Sequence, residues 1–407
     1  MSAVNPLVDH LFRHEAGRIT AALTRALGAR HLELAEEATQ EALTRALQTW
    51  PFRGVPAEPA AWLHTAARNY ARDQLRRRAN WQSKEPAVQQ FLESRGAGGA
   101  AEAEMDDTLA MMLLCCHPAI SAESRVALTL KTVSGFSTRE IASAFLTTET
   151  AIAQRIVRAK RTIGEAGLEM ELPEGVELPG RLDTVCDALY LLFNEGYFAS
   201  HGATALRREL CEEAIRLLGC IAEAGYATPA RWALAALFHL HLARFETRVG
   251  DDGRLVAFEE MRAVHDPAHM RLADEALREA MRAARLSVWH VEAAIAAAHC
   301  AAQRDWPHIT KLYDALLEMK PSPIVRLNRA VAVFRAGRRE EAFGELAALE
   351  KEEGLRGYSL LPATQARLHE EAGNSGEAKR HYQRALACAM SAPAREFLER
   401  RLAEAGN

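Results

Sequence analysis

Arginine side chains recur at helical spacing within residues 61–78, with an asparagine among them, and both residue types suit contact with nucleic acid. Arg68, Arg72 and Arg76 are four residues apart, which places them in one stripe along a helix. Such a stripe of guanidinium groups can contact a row of phosphates. Asn69 lies within the stripe, and its amide can both donate to and accept from a base edge. The alternative interpretation of this stretch alone is a solvated basic face on an amphipathic helix.

A second candidate element for nucleic-acid binding lies between residues 121 and 163. Ser137 and Glu140 have the spacing of a capping box and predict the start of a short helix. A second helix, with basic residues on its outward face, is expected from about Thr148 to Ile163. This pattern predicts a helix-turn-helix, although a generic helical hairpin has a similar pattern. The residues expected on the outward face are Thr150, Gln154, Arg158 and Arg161, with Arg155 at its edge.

The helix expected over residues 33–48 combines an apolar line with an acidic face. The apolar line consists of residues that recur every fourth position, namely Leu34, Ala38, Ala42 and Ala46. The acidic face consists of Glu36, Glu37, Gln40 and Glu41. Because acidic groups repel DNA, this face suits a basic protein partner, with a solvated face as the alternative.

The stretch that joins this helix to the basic stripe contains aromatic residues. Residues 50–59 include three prolines and one glycine, which predict a loop. We expect the loop to expose Trp50 and Phe52 beside the start of the basic helix.

Composition places these elements in an all-α protein. Long stretches rich in Ala, Leu, Glu and Arg, with few β-branched alternations, favour helices throughout the 407 residues. The formal net charge is only −4, so the basic stripe is a local feature. No apolar run reaches membrane-spanning length, and the N-terminus lacks the layout of a signal peptide. We therefore expect a cytoplasmic protein with no membrane partner.

The sequence contains none of the common signatures of an enzyme or a metal site. We find no Gly-rich phosphate loop, no G-x-S-x-G and no pair of histidine ligands at i and i+4 in a zinc motif. The 7 cysteines are scattered without a C-x-x-C pair, so we interpret them as core residues. The prediction is a protein that is not an enzyme and that has no metal and no cofactor.

Residues 1 to about 165 resemble a sigma factor of the extracytoplasmic-function type. The resemblance rests on the segments 35–43 and 62–77 and on the helix-turn-helix. The first two segments resemble region 2 of the family, and the helix-turn-helix resembles region 4. No counterpart of the long region 3 of housekeeping sigma factors is present.

The resemblance implies that the protein binds core RNA polymerase and directs it to promoter DNA. The acidic face of Glu36, Glu37, Gln40 and Glu41 would bind the clamp helices of the β′ subunit, and the β flap is a second implied contact. The loop with Trp50 and Phe52 would capture a flipped base of the −10 element. Asn69 would help to read that element.

The resemblance also implies contacts to the DNA backbone and to the −35 element. The residues that would hold the backbone of the opening strand are Arg68, Arg72, Arg76 and Arg77. The residues of the helix that would enter the major groove at −35 are Thr148, Thr150, Gln154, Arg155, Arg158 and Lys160.

More than two hundred residues follow the second linker and predict a helical C-terminal extension. Arg304, Gly337 and Gly373 are spaced 33 and 36 residues apart, close to the period of tetratricopeptide repeats, so we predict such repeats at about 287–390. The segments 189–197 and 252–255 resemble motifs of the sigma-factor subgroup with a large helical extension, although both could be purely structural. The resemblance implies that the extension regulates activity and could bind a protein or peptide partner.

The predicted domain order follows from these segments. It consists of region 2 at 1–81, a linker at 82–107, region 4 at 108–165, a linker at 166–180 and the extension at 181–407. Two other functions fit parts of the sequence. One is a stand-alone helix-turn-helix regulator with a helical-repeat sensor, which needs neither the acidic face nor the second DNA-reading helix. The other is a repeat scaffold that has lost DNA binding.

Overall fold

A computed structural model describes residues 4–77, 100–144, 147–170, 177–197, 208–248, 265–388 and 392–404. Within these ranges the regular structure is helical, with no strand, which confirms the all-α prediction. The chain divides into two compact units. The first contains residues 1–192 and 219–221, and the second contains residues 193–218 and 222–407.

Among the described residues, seven helices lie wholly in the first unit, and an eighth continues into the second. They are α1 (Val4–Leu27), α2 (Leu32–Arg53), α3 (Pro59–Arg77), α4 (Ala100–Cys115), α5 (Ala122–Thr132), α6 (Thr138–Ala144), α7 (Glu149–Glu165) and α8 (Glu177–Tyr197). The helix α4 begins inside the linker predicted over 82–107, and α8 begins inside the linker predicted over 166–180. Residues 100–107 are therefore not a linker, because their alanines and glutamates favour a helix.

The core of the N-terminal helices is built on a row of small side chains along α2. The predicted apolar line of Leu34, Ala38, Ala42 and Ala46 is buried, which confirms it, and Ala35 beside it is fully buried as well. The helices α1 and α3 both pack against α2. Because alanine has almost no side chain, the three backbones can approach closely, and the leucines of α1 and α3 fill the space at either side.

The helix α2 is longer than the sequence pattern indicated. It continues through Pro51 to Arg53 and ends at Gly54, whose φ of 82° is in the left-handed region. Trp50 therefore follows Ala46 by one further turn on the buried face. Its side chain is only 2% exposed and packs edge-on against Trp62, with ring centroids 5.5 Å apart. The expectation that Trp50 is exposed on a loop is wrong.

The helices α5, α6 and α7 form the predicted helix-turn-helix. The capping box at the start of α6 is present, because the Ser137 backbone N–H donates to the Glu140 carboxylate at 2.8 Å and the Glu140 N–H donates to the Ser137 hydroxyl at 3.2 Å. At the start of α7, the Thr148 hydroxyl accepts from the Ala151 N–H at 3.2 Å. These caps fix where both helices begin. The apolar residues Ile152 and Ile156 of α7 face the core.

The second unit is a succession of packed helices. They are α9 (Arg208–Ile221, whose last three residues belong to the first unit), α10 (Pro229–Leu242), α11 (Pro267–Ala280), α12 (Val288–Cys300), α13 (Trp306–Met319), α14 (Pro323–Arg335), α15 (Arg339–Leu349), α16 (Leu360–Glu371), α17 (Ser375–Leu386) and α18 (Ala392–Glu404). Consecutive helices from α12 to α18 pack on their neighbours. This arrangement agrees with the helical pairs expected over 287–390.

The glycines singled out in the repeat pattern occupy helix C-termini. Gly337 has a φ of 88°, its N–H donates to the Phe334 carbonyl, and the next N–H donates to the Val333 carbonyl. Gly373 follows α16 with a φ of 80° and the same two hydrogen bonds. Both turns are Schellman motifs, which favour glycine because it adopts positive φ without strain. The first predicted repeat has Arg304 in place of this glycine. The next residue, Asp305, caps the N-terminus of α13 by accepting from the His308 N–H.

One of the two motifs noted in the extension lies within the described chain. The residues 189–197 form the end of α8, where Tyr197 is buried and Phe193 stacks on Phe238 with ring centroids 4.2 Å apart. The segment therefore ends α8 with two buried aromatic side chains, Phe193 and Tyr197. The motif 252–255 lies outside the described residues.

Candidate nucleic-acid and protein interfaces

The basic stripe lies on the side of α3 away from its buried residues. Leu63 and Ala67 face the core, whereas Arg68, Asn69 and Arg72 are half-buried. Arg76 and Arg77 are exposed at the end of the helix. The Arg72 guanidinium donates to the Asn69 side-chain oxygen at 3.3 Å, which orients the amide within the stripe. The helix therefore carries the three arginines of the predicted stripe, with Arg77 beside them and one oriented amide among them.

An exposed aromatic side chain lies at the junction of α2 and α3. Phe52 is 88% exposed in the last turn of α2, and Val55 is exposed in the short loop that follows. The buried indole of Trp50 anchors this turn by packing against Trp62 of α3. Of the two predicted aromatics, only Phe52 presents a ring on which a base could stack.

The acidic residues on α2 are partly held by neighbouring side chains. The Tyr70 hydroxyl donates to the Glu37 carboxylate at 2.6 Å, and this hydrogen bond raises the pKa of Tyr70. Arg45 forms an ion pair with Glu41 at 2.7 Å. Gln40 is exposed between them. These contacts order the carboxylates on one surface without burying them.

Glu36 differs from the other acidic residues because it is bound by the helix-turn-helix. One carboxylate oxygen accepts from the Thr132 hydroxyl at 3.1 Å, and the other forms an ion pair with Lys160. The side chains of Glu36 and Lys160 are only 18% and 16% exposed. Lys160 was expected to contact DNA, but in this structure its ammonium group contacts region 2.

The remaining outward residues of α7 form a mixed surface. Thr148, Thr150, Gln154 and Arg158 are exposed, as predicted for a recognition helix. Arg155 is only 20% exposed and forms an ion pair with Glu123 of α5 at 2.7 Å. The guanidinium of Arg155 therefore joins α7 to α5 within the helix-turn-helix.

The structure adds one residue to this surface that the sequence analysis missed. Val157 is 65% exposed on α7, one residue before Arg158. In a major groove, the methyl groups of an exposed valine can contact the methyl group of thymine. Its position next to Arg158 could have identified Val157 from the sequence. It was missed because we selected candidate residues only by their charge and their capacity to form hydrogen bonds.

One group of potential metal ligands occurs among the described residues, and it lies in the second unit. Ligand atoms of His369, Glu377 and His381 are within 4.8 Å of one another. The guanidinium groups of Arg380 and Arg384 are directed at the two ring nitrogens of His381, at 3.3 and 3.2 Å. Burial, assisted by these charges, lowers the pKa of His381 to about 4. Two neutral imidazoles and a carboxylate suit a divalent cation, but the adjacent arginines oppose one.

The cysteines of the first unit are enclosed by apolar neighbours. Cys115 and Cys116 are fully buried at the end of α4, and burial raises the pKa of Cys116 to about 12. Both are therefore thiols at neutral pH, as expected of core cysteines. None of the described helices has the length and hydropathy required to cross a membrane.

Comparison with known proteins assigns families to three segments of the chain. Residues 11–80 match Sigma-70 region 2, residues 110–163 match Sigma-70, region 4, and residues 181–281 match a family of unknown function. An uncharacterized protein from Rhizobium meliloti (strain 1021) is 37% identical over 403 residues, which cover 94% of each chain. No solved structure matches the chain.

The two aromatics at the end of α2 should respond oppositely to truncation. We expect Trp50→Ala to lower the free energy of unfolding by about 3–5 kcal/mol, because it leaves a cavity in the α1–α3 core. We expect Phe52→Ala to change it by less than about 0.5 kcal/mol, because the ring is exposed. Urea denaturation followed by circular dichroism measures both values. Equal effects of the two substitutions would contradict the placement of the rings.

Proposed function

This chain belongs to the sigma-70 family, in the extracytoplasmic-function pairing of region 2 with region 4 and with a helical extension, and its domains indicate a role in transcription initiation. On this premise we propose that the protein binds core RNA polymerase and directs it to specific promoters. The observation that carries the proposal is that one chain combines an acidic face on α2 with a basic, aromatic-flanked α3 and a separate helix-turn-helix.

We propose that polymerase docks on the acidic face of α2. Glu37, Gln40 and Glu41 lie on a surface that is ordered by Tyr70 and Arg45 but is open to solvent. Carboxylates held in this way complement a basic partner and steer its approach. The β′ clamp helices are the partner that the family resemblance implies. Glu36 extends the same surface once its own contacts are released.

We propose that the −10 element is recognised at the junction of α2 and α3. Phe52 supplies a stacking surface for a base that leaves the duplex, and Asn69 supplies hydrogen bonds to a base edge. The arginines along α3 would hold the phosphates on either side. Trp50 contributes by supporting the turn that carries Phe52, and it does not contact DNA itself.

We propose that α7 reads the −35 element in the major groove. Thr150, Gln154 and Arg158 are exposed along one face, and the cap at Thr148 places the helix N-terminus, with its partial positive charge, at the same end. The β flap would contact region 4 away from this face. No catalysis by the chain itself is required, since the polymerase carries the chemistry.

We propose that the helical extension regulates the sigma regions. Its consecutive helix pairs, with glycine at the turns after α14 and α16, resemble tetratricopeptide repeats, which bind peptides and proteins on their concave side. A protein or peptide partner is therefore the class of ligand that fits the extension best.

Removing the amide of Asn69 should separate promoter opening from polymerase binding. We expect Asn69→Ala to lower the fraction of open complex about tenfold, because one set of base-edge hydrogen bonds is lost, while the affinity for core polymerase is unchanged. Permanganate footprinting measures opening, and fluorescence anisotropy measures core binding. Gln48→Ala, which truncates an exposed amide on α2, is the control and should change neither. Equal loss of both activities in Asn69→Ala would contradict a specific role in opening.

Removing one guanidinium from α7 should weaken binding in a salt-dependent way. We expect Arg158→Ala to weaken binding to a −35 duplex, with the slope of log K against log[salt] shallower by about 0.9 if the contact is to one phosphate. Electrophoretic mobility shifts at several salt concentrations measure the slope. Arg356→Ala removes the same charge from an exposed site in the extension and serves as the control. An unchanged affinity in Arg158→Ala would remove this residue from the interface.

A further inference from the structure

The carboxylate of Glu36 connects region 2 to region 4 within the first unit. It belongs to α2, and its two oxygens contact Thr132 at the end of α5 and Lys160 near the end of α7. These partners lie 96 and 124 residues away in the sequence. The contact therefore joins a residue expected to bind polymerase to a residue expected to bind DNA.

Two further contacts hold the same two regions together. Gly17 of α1 lies so close to Val133 that a Cβ atom on residue 17 would be 1.9 Å from the Val133 carbonyl oxygen. A glycine is therefore required at this position for the two backbones to meet. Arg25 of α1 forms an ion pair with Asp107 of α4, whose side chain is buried. The two regions thus meet along α1 and α2, with close packing at one point and ion pairs at two others.

The contact at Glu36 is suited to being broken and remade. Both charged side chains are mostly removed from solvent, and the neighbouring thiol of Cys115 is fully buried, which indicates a region of low polarity. A buried ion pair loses hydration on forming, so its net contribution to stability is small even when its geometry is good. Separation of the regions returns both charges to water or to new partners. The contact therefore favours one arrangement of region 2 and region 4, and the two regions can still separate.

We propose that Glu36, Thr132 and Lys160 form an autoinhibitory latch, in which region 4 covers part of the polymerase-docking face of region 2 and must move away before core polymerase binds. This inference rests on the proposed function. In the latched arrangement the Glu36 carboxylate is unavailable to the β′ clamp helices, and the Lys160 ammonium is unavailable to DNA. Binding of polymerase and exposure of Lys160 are therefore coupled, because one opening step releases both.

The latch lowers the apparent affinity for polymerase by the fraction of molecules that are open. Any change that weakens the latch without touching the docking face should raise that affinity. Thr132 and Gly17 are suitable positions, because neither belongs to the proposed polymerase or DNA contacts. Thr132→Val removes the hydroxyl that donates to Glu36 and keeps the shape of the side chain. Gly17→Ala inserts a methyl group against the Val133 carbonyl.

The experiment compares full-length variants for binding to purified core polymerase by fluorescence anisotropy. We expect Thr132→Val and Gly17→Ala each to lower the dissociation constant about three- to tenfold, because the first removes a hydrogen bond that holds the latch closed and the second forces α1 away from Val133. Thr184→Val is the matched control, because its hydroxyl donates within its own helix α8, to the Gly180 carbonyl at 3.1 Å, and lies outside the latch. Gly344→Ala is the control for the glycine, because a Cβ there meets no atom within 4 Å. Both controls should bind like the unmodified chain.

The possible outcomes show separately whether the latch fails or the proposed function fails. If the unmodified chain binds core polymerase and both folded variants bind no more tightly, the latch is overturned while the sigma assignment stands. If Gly17→Ala fails to fold, as judged by circular dichroism, the result for Thr132→Val decides alone. If none of the proteins binds core polymerase, the proposed function fails and the latch fails with it. Tighter binding by the variants supports the latch.

Discussion

The close approach of three helices around the alanine row of α2 is the constraint on which the candidate interfaces depend. The side chains of Ala35, Ala38, Ala42 and Ala46 leave almost no space between α2 and its neighbours α1 and α3. The buried face of α2 is therefore fixed, and the charged residues of the helix lie outside it, whereas the small polar Thr39 is buried and shares a hydrogen bond with Thr20. This packing presents the acidic face to solvent and holds the arginine stripe of α3 on an adjacent surface.

The same packing explains why Glu36 lies at the junction of two regions. It is adjacent in sequence to the buried Ala35, so its side chain emerges at the edge of the acidic face and not at its centre. At that edge it meets Thr132 and Lys160 of region 4. The other acidic residues stay accessible, and they are ordered by Tyr70 and Arg45 within region 2. Glu37, Gln40 and Glu41 are thus accessible to a partner on this surface, whereas Glu36 becomes accessible only after region 4 moves away.

The periodic features of the fold were predictable from the sequence, because they depend on local spacing. The alanine row, the capping box at Ser137 and the turns at Gly337 and Gly373 are of this kind. Trp50 was assigned to a loop because Pro51 suggested a helix end, whereas its spacing from Ala46 kept it on the buried face. Pro51 has no N–H to donate within the last turn, yet the helix continues past it to Arg53.

The contacts that join distant segments could not be predicted from the pattern of residue types. Helical spacing places Arg158 on the outward face of α7 and Arg155 at its edge, in agreement with their exposure, but it does not identify Glu123 as the partner of Arg155 or Glu36 as the partner of Lys160.

Run-off transcription by core polymerase, with the full-length chain on a set of genomic fragments, is the direct test of the sigma assignment. We expect transcripts that start at defined sites and depend on the added chain. Absence of such transcripts, together with failure of the chain to co-elute with core polymerase, would contradict the assignment and would favour a stand-alone regulator.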